Sequence, residues 1–274
     1  MTRDPSQASI MAKKFPQVQP GGSLILAWQI KGKKVLVVGG GEVAAGRILN
    51  CLNADANVTV VAPSTGLNDE VRHRIAEKQV THVDRVFEPS DLDGAEMVLV
   101  AVDDPAASTA IWKLCKEKKI PANIADVPPE CDFYFGSVHR DGPLQIMVST
   151  NGKGPRIAAL IRKFIAKSLP ENCGNAIENI GELRVKLRKI APNSEDGPKR
   201  MTWWVKIWMS KVSDTYNWQE MCELTEDDMD NLLLFYPANK VPDFDILRAL
   251  RGEKNTDVSK LDVFDGSFGF SVGA

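Results

Sequence analysis

Val35–Ala44 reads VLVVGGGEVA, four apolar residues running into three glycines with a helical pattern opening directly behind them. A continuous apolar run of this kind suits a parallel strand buried on both faces. Gly39, Gly41 and Ala44 occupy the three small positions of a G-x-G-x-x-G/A turn. The first small residue permits a tight turn, the second lets a pyrophosphate reach the backbone, and the third lets helix and strand pack closely. Free N–H groups at the helix start, around Glu42 and Val43, then face the phosphates. Gly39, Gly41, Glu42, Val43 and Ala44 are therefore candidate dinucleotide contacts. The blander alternative is an ordinary glycine-rich strand–helix junction.

From about residue 22 to 127 the chain alternates strand and helix. Strands are expected at Lys34–Val38, Asn57–Val61, Thr81–Phe87, Met97–Ala101 and Ala122–Ile124, with helices at Val43–Leu52, Asn68–Lys78 and Ala106–Lys118. Strands separated by helical crossovers imply an α/β fold, a Rossmann-like doubly wound parallel sheet. Ligands of such sheets lie beyond the carboxyl ends of the strands. That rule adds Ala62, Pro63, Asp103 and Asn123 to the cofactor candidates and singles out Asp126. One element of the usual pattern is missing. An acidic residue about 20 positions past the glycines normally holds the ribose hydroxyls, and Val61 and Ala62 stand there instead. The ribose is expected to rest on backbone groups or on Ser64, which leaves NAD against NADP open.

At Val127-Pro128-Pro129 the rhythm changes, because two prolines stop regular structure. Cys131–Val138 and Leu144–Val148 read as a hairpin joined by HRDGP, with Asp141-Gly142 at the turn. Pro155 then stands at a favoured first helical position, opening a helix to about Leu169, and a second is expected from about Glu171 to Ile190. A hairpin with two helices is too small to be comfortable alone, so residues 128–190 are read as an α+β dimerisation domain. Residues 191–274 form a helical C-terminal domain, with helices expected at about 200–212, 225–236 and 243–251. Trp203, Trp204 and Trp208 are expected to pack in its core. Residues 1–21 read as a flexible tail, 22–127 as the NAD-binding domain, and the glycine-rich end as mobile.

Charge separates along the chain. Residues 139–189 carry ten Lys or Arg against four Asp or Glu, whereas residues 191–274 carry nine against fifteen. The basic middle suits an anionic small molecule, and the helix start at Gly154-Pro155 adds a positive dipole end. Aromatic interleaving of the kind that stacks nucleic-acid bases is absent from that stretch, which argues against nucleic acid. No apolar run approaches the ~20 residues a membrane span needs, and the N-terminus lacks the order of a secretory signal. The five cysteines are widely spaced with no C-x-x-C pair, as free thiols in a reducing cytoplasm would be. His73, His82 and His139 share no local motif, so no resident metal site is read; His73 is placed on a surface helix and His139 in a hairpin turn.

Two long motifs carry a family resemblance. GGGEVAAGRILNCLNADANVTVVAP (39–63) and NIADVPPECDFYFGSVHRDGPLQIMVSTNGKGPRIAALIR (123–162) resemble the dehydrogenase–ferrochelatase module of sirohaem synthases, in particular its free-standing fungal type. The resemblance implies NAD-dependent oxidation of precorrin-2 to sirohydrochlorin, followed by insertion of ferrous iron, a substrate here, to give sirohaem. It also implies an intertwined homodimer. Asp126, at a strand's carboxyl end just past Asn123, is the candidate base for both steps; without the resemblance it would as readily be a turn former. Lys153, Arg156 and Arg162 are the candidates for the carboxylates of the tetrapyrrole, since Arg binds carboxylate in bidentate fashion. Two rival readings are a dehydrogenase of a small polar substrate and a dinucleotide-sensing regulator without turnover.

Overall fold

The computed structural model describes residues 16, 18–208 and 216–252. Most of the expected N-terminal tail, the expected mobile end, and residues 209–212 of an expected helix lie outside them. The chain divides into two compact units: 1–135 with 149–155, and 136–148 with 156–274.

The first unit is built on five parallel strands, β1 (Lys34–Val38), β2 (Asn57–Val61), β3 (Thr81–Val83), β4 (Met97–Val100) and β5 (Ala122–Ile124), in the order β3-β2-β1-β4-β5. Three helices cross between them: α1 (Glu42–Leu52), α2 (Asp69–Ala76) and α3 (Pro105–Glu117). Side chains alternate across a strand, and β1 serves two cores in that way. Val35 and Val37 pack with Ala44, Ala45, Ile48 and Cys51 of α1 and Val71 of α2. Leu36 and Val38 pack with Ile111 and Cys115 of α3 on the opposite face. Both faces are covered, so the apolar run is continuous rather than alternating.

The hydrogen-bond ladder continues just past the strands. Gly39 N donates to Val61 O (3.0 Å), Ala101 N to Val38 O (2.8 Å), Ala62 N to Val83 O (3.2 Å) and Ala125 N to Val100 O (2.9 Å). These bonds hold the loops after β1, β2, β4 and β5 in a row along one edge. β3 stops at Val83, four residues before the expected end. Asp84 there turns its carboxylate to Ser64, and Arg85 forks onto Asp91 as the chain enters a 3-10 turn at Pro89–Leu92.

Among the described residues the second unit holds an antiparallel hairpin, β6 (Ser137–Asp141) and β7 (Leu144–Val148), with six helices: α4 (Pro155–Ser168, its first residue in the first unit), α5 (Cys173–Ile190), α6 (Gly197–Trp208), α7 (Trp218–Glu223), α8 (Glu226–Leu234) and α9 (Phe244–Leu250). The first hairpin strand begins later than expected. Residues 131–133 spend their polar groups on β5 instead: Asp132 exchanges hydrogen bonds with Ala122, and Asn123 Nδ2 donates to Phe133 O. Because β6 is displaced towards the turn, His139 lies within the strand opposite Ile146 rather than in the turn. The link itself is Gly142-Pro143, with Gly142 in the left-handed region (φ +53°).

Helix α5 shares its core with the C-terminal helices. Its Ala176, Leu183 and Leu187 pack with Trp203, Met229, Leu232, Phe244 and Leu247. Trp203 is fully buried, meets the Tyr236 ring edge-on at 5.5 Å, and donates Nε1–H to Lys240 O. Helix α7 was not expected from periodicity, being too short to display any. Its signature was local: Asn217 and Glu220 form a reciprocal capping box.

Candidate active site

The glycine turn after β1 assigns each glycine a separate task. Gly39 adopts φ +113°, and a Cβ there would run into the Ala101 carbonyl oxygen. A Cβ on Gly40 would overlap Leu67 and lie 3.3 Å from Ala62 Cβ. Gly41 differs: a Cβ there would meet nothing within 4 Å. It is the N-cap of α1, with ordinary extended backbone and no side chain capping the helix. Open space therefore faces unpaired helix N–H groups, which is what a pyrophosphate needs. Ala44 is fully buried against the sheet, and a larger side chain would push the helix away. The residues present fit a bound dinucleotide.

The other cofactor candidates line the same edge with different degrees of freedom. Glu42 is exposed and accepts from Asn68 Nδ2 at 2.8 Å, and Val43 is half-exposed. Ala62 is buried and Pro63 exposed at the end of β2, and Asp103 is exposed after β4. Its neighbour Asp104 is occupied in capping α3, accepting from Ala106 N and Ala107 N. Ser64 donates its hydroxyl to Asp84. Asn123 is buried, and both ends of its carboxamide are engaged, Nδ2 by Phe133 O and Oδ1 by Arg47.

Asp126 stands two residues past β5, exposed, with φ +59°. Aspartate and asparagine tolerate that left-handed conformation better than other side-chain-bearing residues. Among the described residues its carboxylate accepts no hydrogen bond and forms no ion pair. A free carboxylate on the strand-end edge is available to take a proton.

Arg47 is the residue that sequence reading missed. It projects from α1, donates to Asn123 Oδ1, and stacks its guanidinium 5.1 Å over the Phe135 ring. Burial lowers its pKa, and nearby acidic groups, the Asp126 carboxylate among them, oppose that shift. Guanidinium groups stay charged in proteins, so Arg47 keeps a half-buried cation on this side of the sheet. One sign was present in the sequence. Arg47 lies between Ala44 and Ile48 on the helix face otherwise made of small and apolar residues, where a charge needs partners.

No thiol competes for a chemical role here. Burial pushes Cys51 up to about 11 and also raises Cys131, so neither is a thiolate at neutral pH. Among the described residues no group of three His, Cys, Asp or Glu is arranged to hold a metal ion. His73 is exposed on α2, and His82 pairs with Ala62 O at 2.8 Å.

The basic candidates are placed as follows. Lys153 is exposed in the loop before α4, where Thr150 Oγ1 accepts from Gly154 N. Arg156 is exposed in the first turn of α4. Neither makes an ion pair among the described residues. Arg162, further along α4, donates Nε–H to Ser137 Oγ at 3.2 Å.

A family model of NAD(P)-binding domains matches residues 26–137. Models of the central and C-terminal parts of sirohaem biosynthesis proteins match 141–168 and 170–242. A solved precorrin-2 dehydrogenase, SirC, superposes with a TM-score of 0.59 at 22% identity, over 79% of this chain and all of that one, which establishes the shared fold. The siroheme synthase of Methylobacillus flagellatus is 30% identical over 70% of this chain, which spans 40% of that longer protein. The siroheme biosynthesis protein of Schizosaccharomyces pombe is 56% identical over 85% of this chain and 87% of its own length. With that degree of identity across both proteins, the chain belongs to the family of sirohaem biosynthesis proteins.

Proposed function

We propose that this chain oxidises precorrin-2 to sirohydrochlorin with NAD and then inserts ferrous iron to yield sirohaem. The observation that carries the reading is the pairing of two features on one sheet edge: the open glycine cradle at Gly41 and the unengaged carboxylate of Asp126. NAD, when bound, supplies the hydride acceptor. The oxidation also releases one proton, and Asp126 is assigned to take it. Iron insertion displaces two pyrrole N–H protons, and the same exposed carboxylate is assigned to accept them one at a time, passing each to solvent. Lys153, Arg156 and Arg162 are assigned to the substrate's carboxylates. Gly39, Gly41, Glu42, Val43, Ala44, Ala62, Pro63, Asp103 and Asn123 are assigned to the cofactor. Asn123, with its carboxamide already engaged, serves by fixing the loop rather than by a free hydrogen bond.

The test is direct. Purified protein incubated with precorrin-2 and NAD should form NADH together with the sirohydrochlorin visible spectrum, and adding ferrous iron should convert that spectrum to sirohaem. No NADH formation would favour a dinucleotide sensor, and turnover of small polar substrates alone would favour an ordinary dehydrogenase.

Residues 22–127 are assigned as the NAD-binding domain, 128–190 as the dimerisation domain and 191–274 as the helical domain. Helix α4 supports a homodimer. It buries only Ala158, while Ile157, Leu160, Ile161 and Phe164 stand 57%, 60%, 42% and 74% exposed. Their spacing puts them on one stripe, and an exposed apolar stripe of this length calls for a partner. Light scattering should give about twice the 30.1 kDa chain mass, and a monomer at micromolar concentration would contradict the assignment. No helix among the described residues is long and apolar enough to cross a membrane. A cytoplasmic location, with no nucleic-acid or membrane partner, fits this reading.

A further inference from the structure

We propose that Asp84 supplies the carboxylate that holds the adenosine ribose hydroxyls, and that it selects NAD over NADP. The inference rests on the dinucleotide reading and adds a residue to it. The end of β2, where the ribose acid is expected, carries Ala62-Pro63-Ser64 and no acid. The structure brings one there from the neighbouring strand. Ser64 N–H donates to Asp84 Oδ1 at 2.7 Å and Ser64 Oγ–H to Oδ2 at 2.5 Å. Val61 and Val83 are register partners, and Ala62 N donates to Val83 O, so Asp84 leaves β3 level with the loop after β2. That loop touches the glycine turn, because Ala62 Cβ lies 3.3 Å from where a Gly40 Cβ would be.

The carboxylate suits a diol. Its two oxygens offer about four acceptor positions, Ser64 takes two, and the exposed remainder faces solvent. The Ser64 bonds also fix its orientation before a ligand arrives and keep it ionised, its pKa lying below the usual carboxylate value. A 2′-phosphate would bring nearly two negative charges to the same place. An arginine commonly accommodates that phosphate, and the adjacent Arg85 is committed elsewhere. Its two terminal nitrogens bind Asp91 at 2.8 and 2.7 Å, with Glu88 at 3.7 Å.

The test is a fluorescence titration of the full chain with NADH and NADPH, without tetrapyrrole. The wild-type protein should bind NADH at least tenfold tighter than NADPH. Asp84→Asn, which keeps shape and removes charge, should weaken NADH by about ten- to a hundredfold and narrow the gap to NADPH. Ser64→Ala should weaken NADH less than Asp84→Asn does. Equal losses for both nucleotides in Asp84→Asn would make Asp84 a loop anchor only and overturn the inference. A wild-type preference for NADPH, or an unchanged ratio in Asp84→Asn, would overturn it while leaving the dinucleotide site standing. Wild-type protein that binds neither nucleotide would remove both.

Discussion

Asp126→Asn should slow precorrin-2 oxidation and iron insertion alike, by about 10²–10⁴-fold, the usual contribution of a general base. The substitution replaces a proton acceptor by a carboxamide of nearly the same shape. The backbone will not object, because asparagine accepts φ +59° at least as readily as aspartate. Alanine is the poorer probe, since a Cβ without a local polar partner is strained by about 1–2 kcal/mol in the left-handed region. No partner is orphaned, for the carboxylate is exposed and takes no hydrogen bond among the described residues. Melting temperature and NADH affinity should therefore stay at wild-type values while both rates fall. Separate assays, NADH formation with precorrin-2 and metal uptake by ready-made sirohydrochlorin, read the two steps. A turn-forming aspartate predicts something different, because asparagine initiates the same turn. Near-wild-type rates in both assays would end the shared-base assignment, and loss of one rate alone would confine Asp126 to that step.

How far the sequence led depended on the range of the interactions involved. β1, β2 and β5 were legible to the residue, because each is a short, mostly apolar segment bounded by glycine, proline or polar turns, with only Asn123 polar inside β5. The glycine turn was legible as a turn because its residues are consecutive, although Ala101, Leu67 and Ala62 are what leave no room for a side chain at Gly39 and Gly40. What the sequence concealed was set by pairing between distant residues. β3 was drawn too long, since its end depends on Asp84 finding Ser64 and Arg85 finding Asp91. Cys131–Gly136 looked like a strand from its apolar content, yet hydrogen bonds to Ala122 and Asn123 hold its first half along β5. Asn123 was legible as a strand-end polar residue but not as one already engaged by Arg47 and Phe133. Arg47 itself was hidden because its meaning lies in Phe135 and Asp126, far along the chain. Pattern reading finds local chemistry. Contacts that close over many residues need coordinates.

Gly41→Asp should abolish NAD-dependent oxidation while leaving the protein folded and its chelatase step largely intact. The three glycines are unequal. At Gly39 any side chain would collide with the Ala101 carbonyl in a left-handed backbone, so loss of activity there would report misfolding. At Gly41 the backbone is ordinary (φ −78°, ψ −169°) and the space beyond it is empty to 4 Å. Gly41 is also the N-cap of α1, a position where aspartate is among the preferred residues and stabilises a helix by about 0.5–2 kcal/mol over alanine. Thermal stability should therefore hold or rise. The same carboxylate occupies the pyrophosphate's space and turns the free N–H groups inward to itself. Its negative charge then opposes a ligand that is itself anionic. NADH should show no saturable binding by fluorescence, and NADH formation from precorrin-2 should fall below detection. Iron uptake by sirohydrochlorin moves no hydride, so its rate should remain within a few-fold of wild type. This variant and Asp126→Asn separate the two halves of the proposed chemistry. One removes the hydride acceptor and spares proton transfer, and the other does the reverse. Full oxidation by a folded Gly41→Asp protein would show that the cradle after β1 is not where the dinucleotide binds.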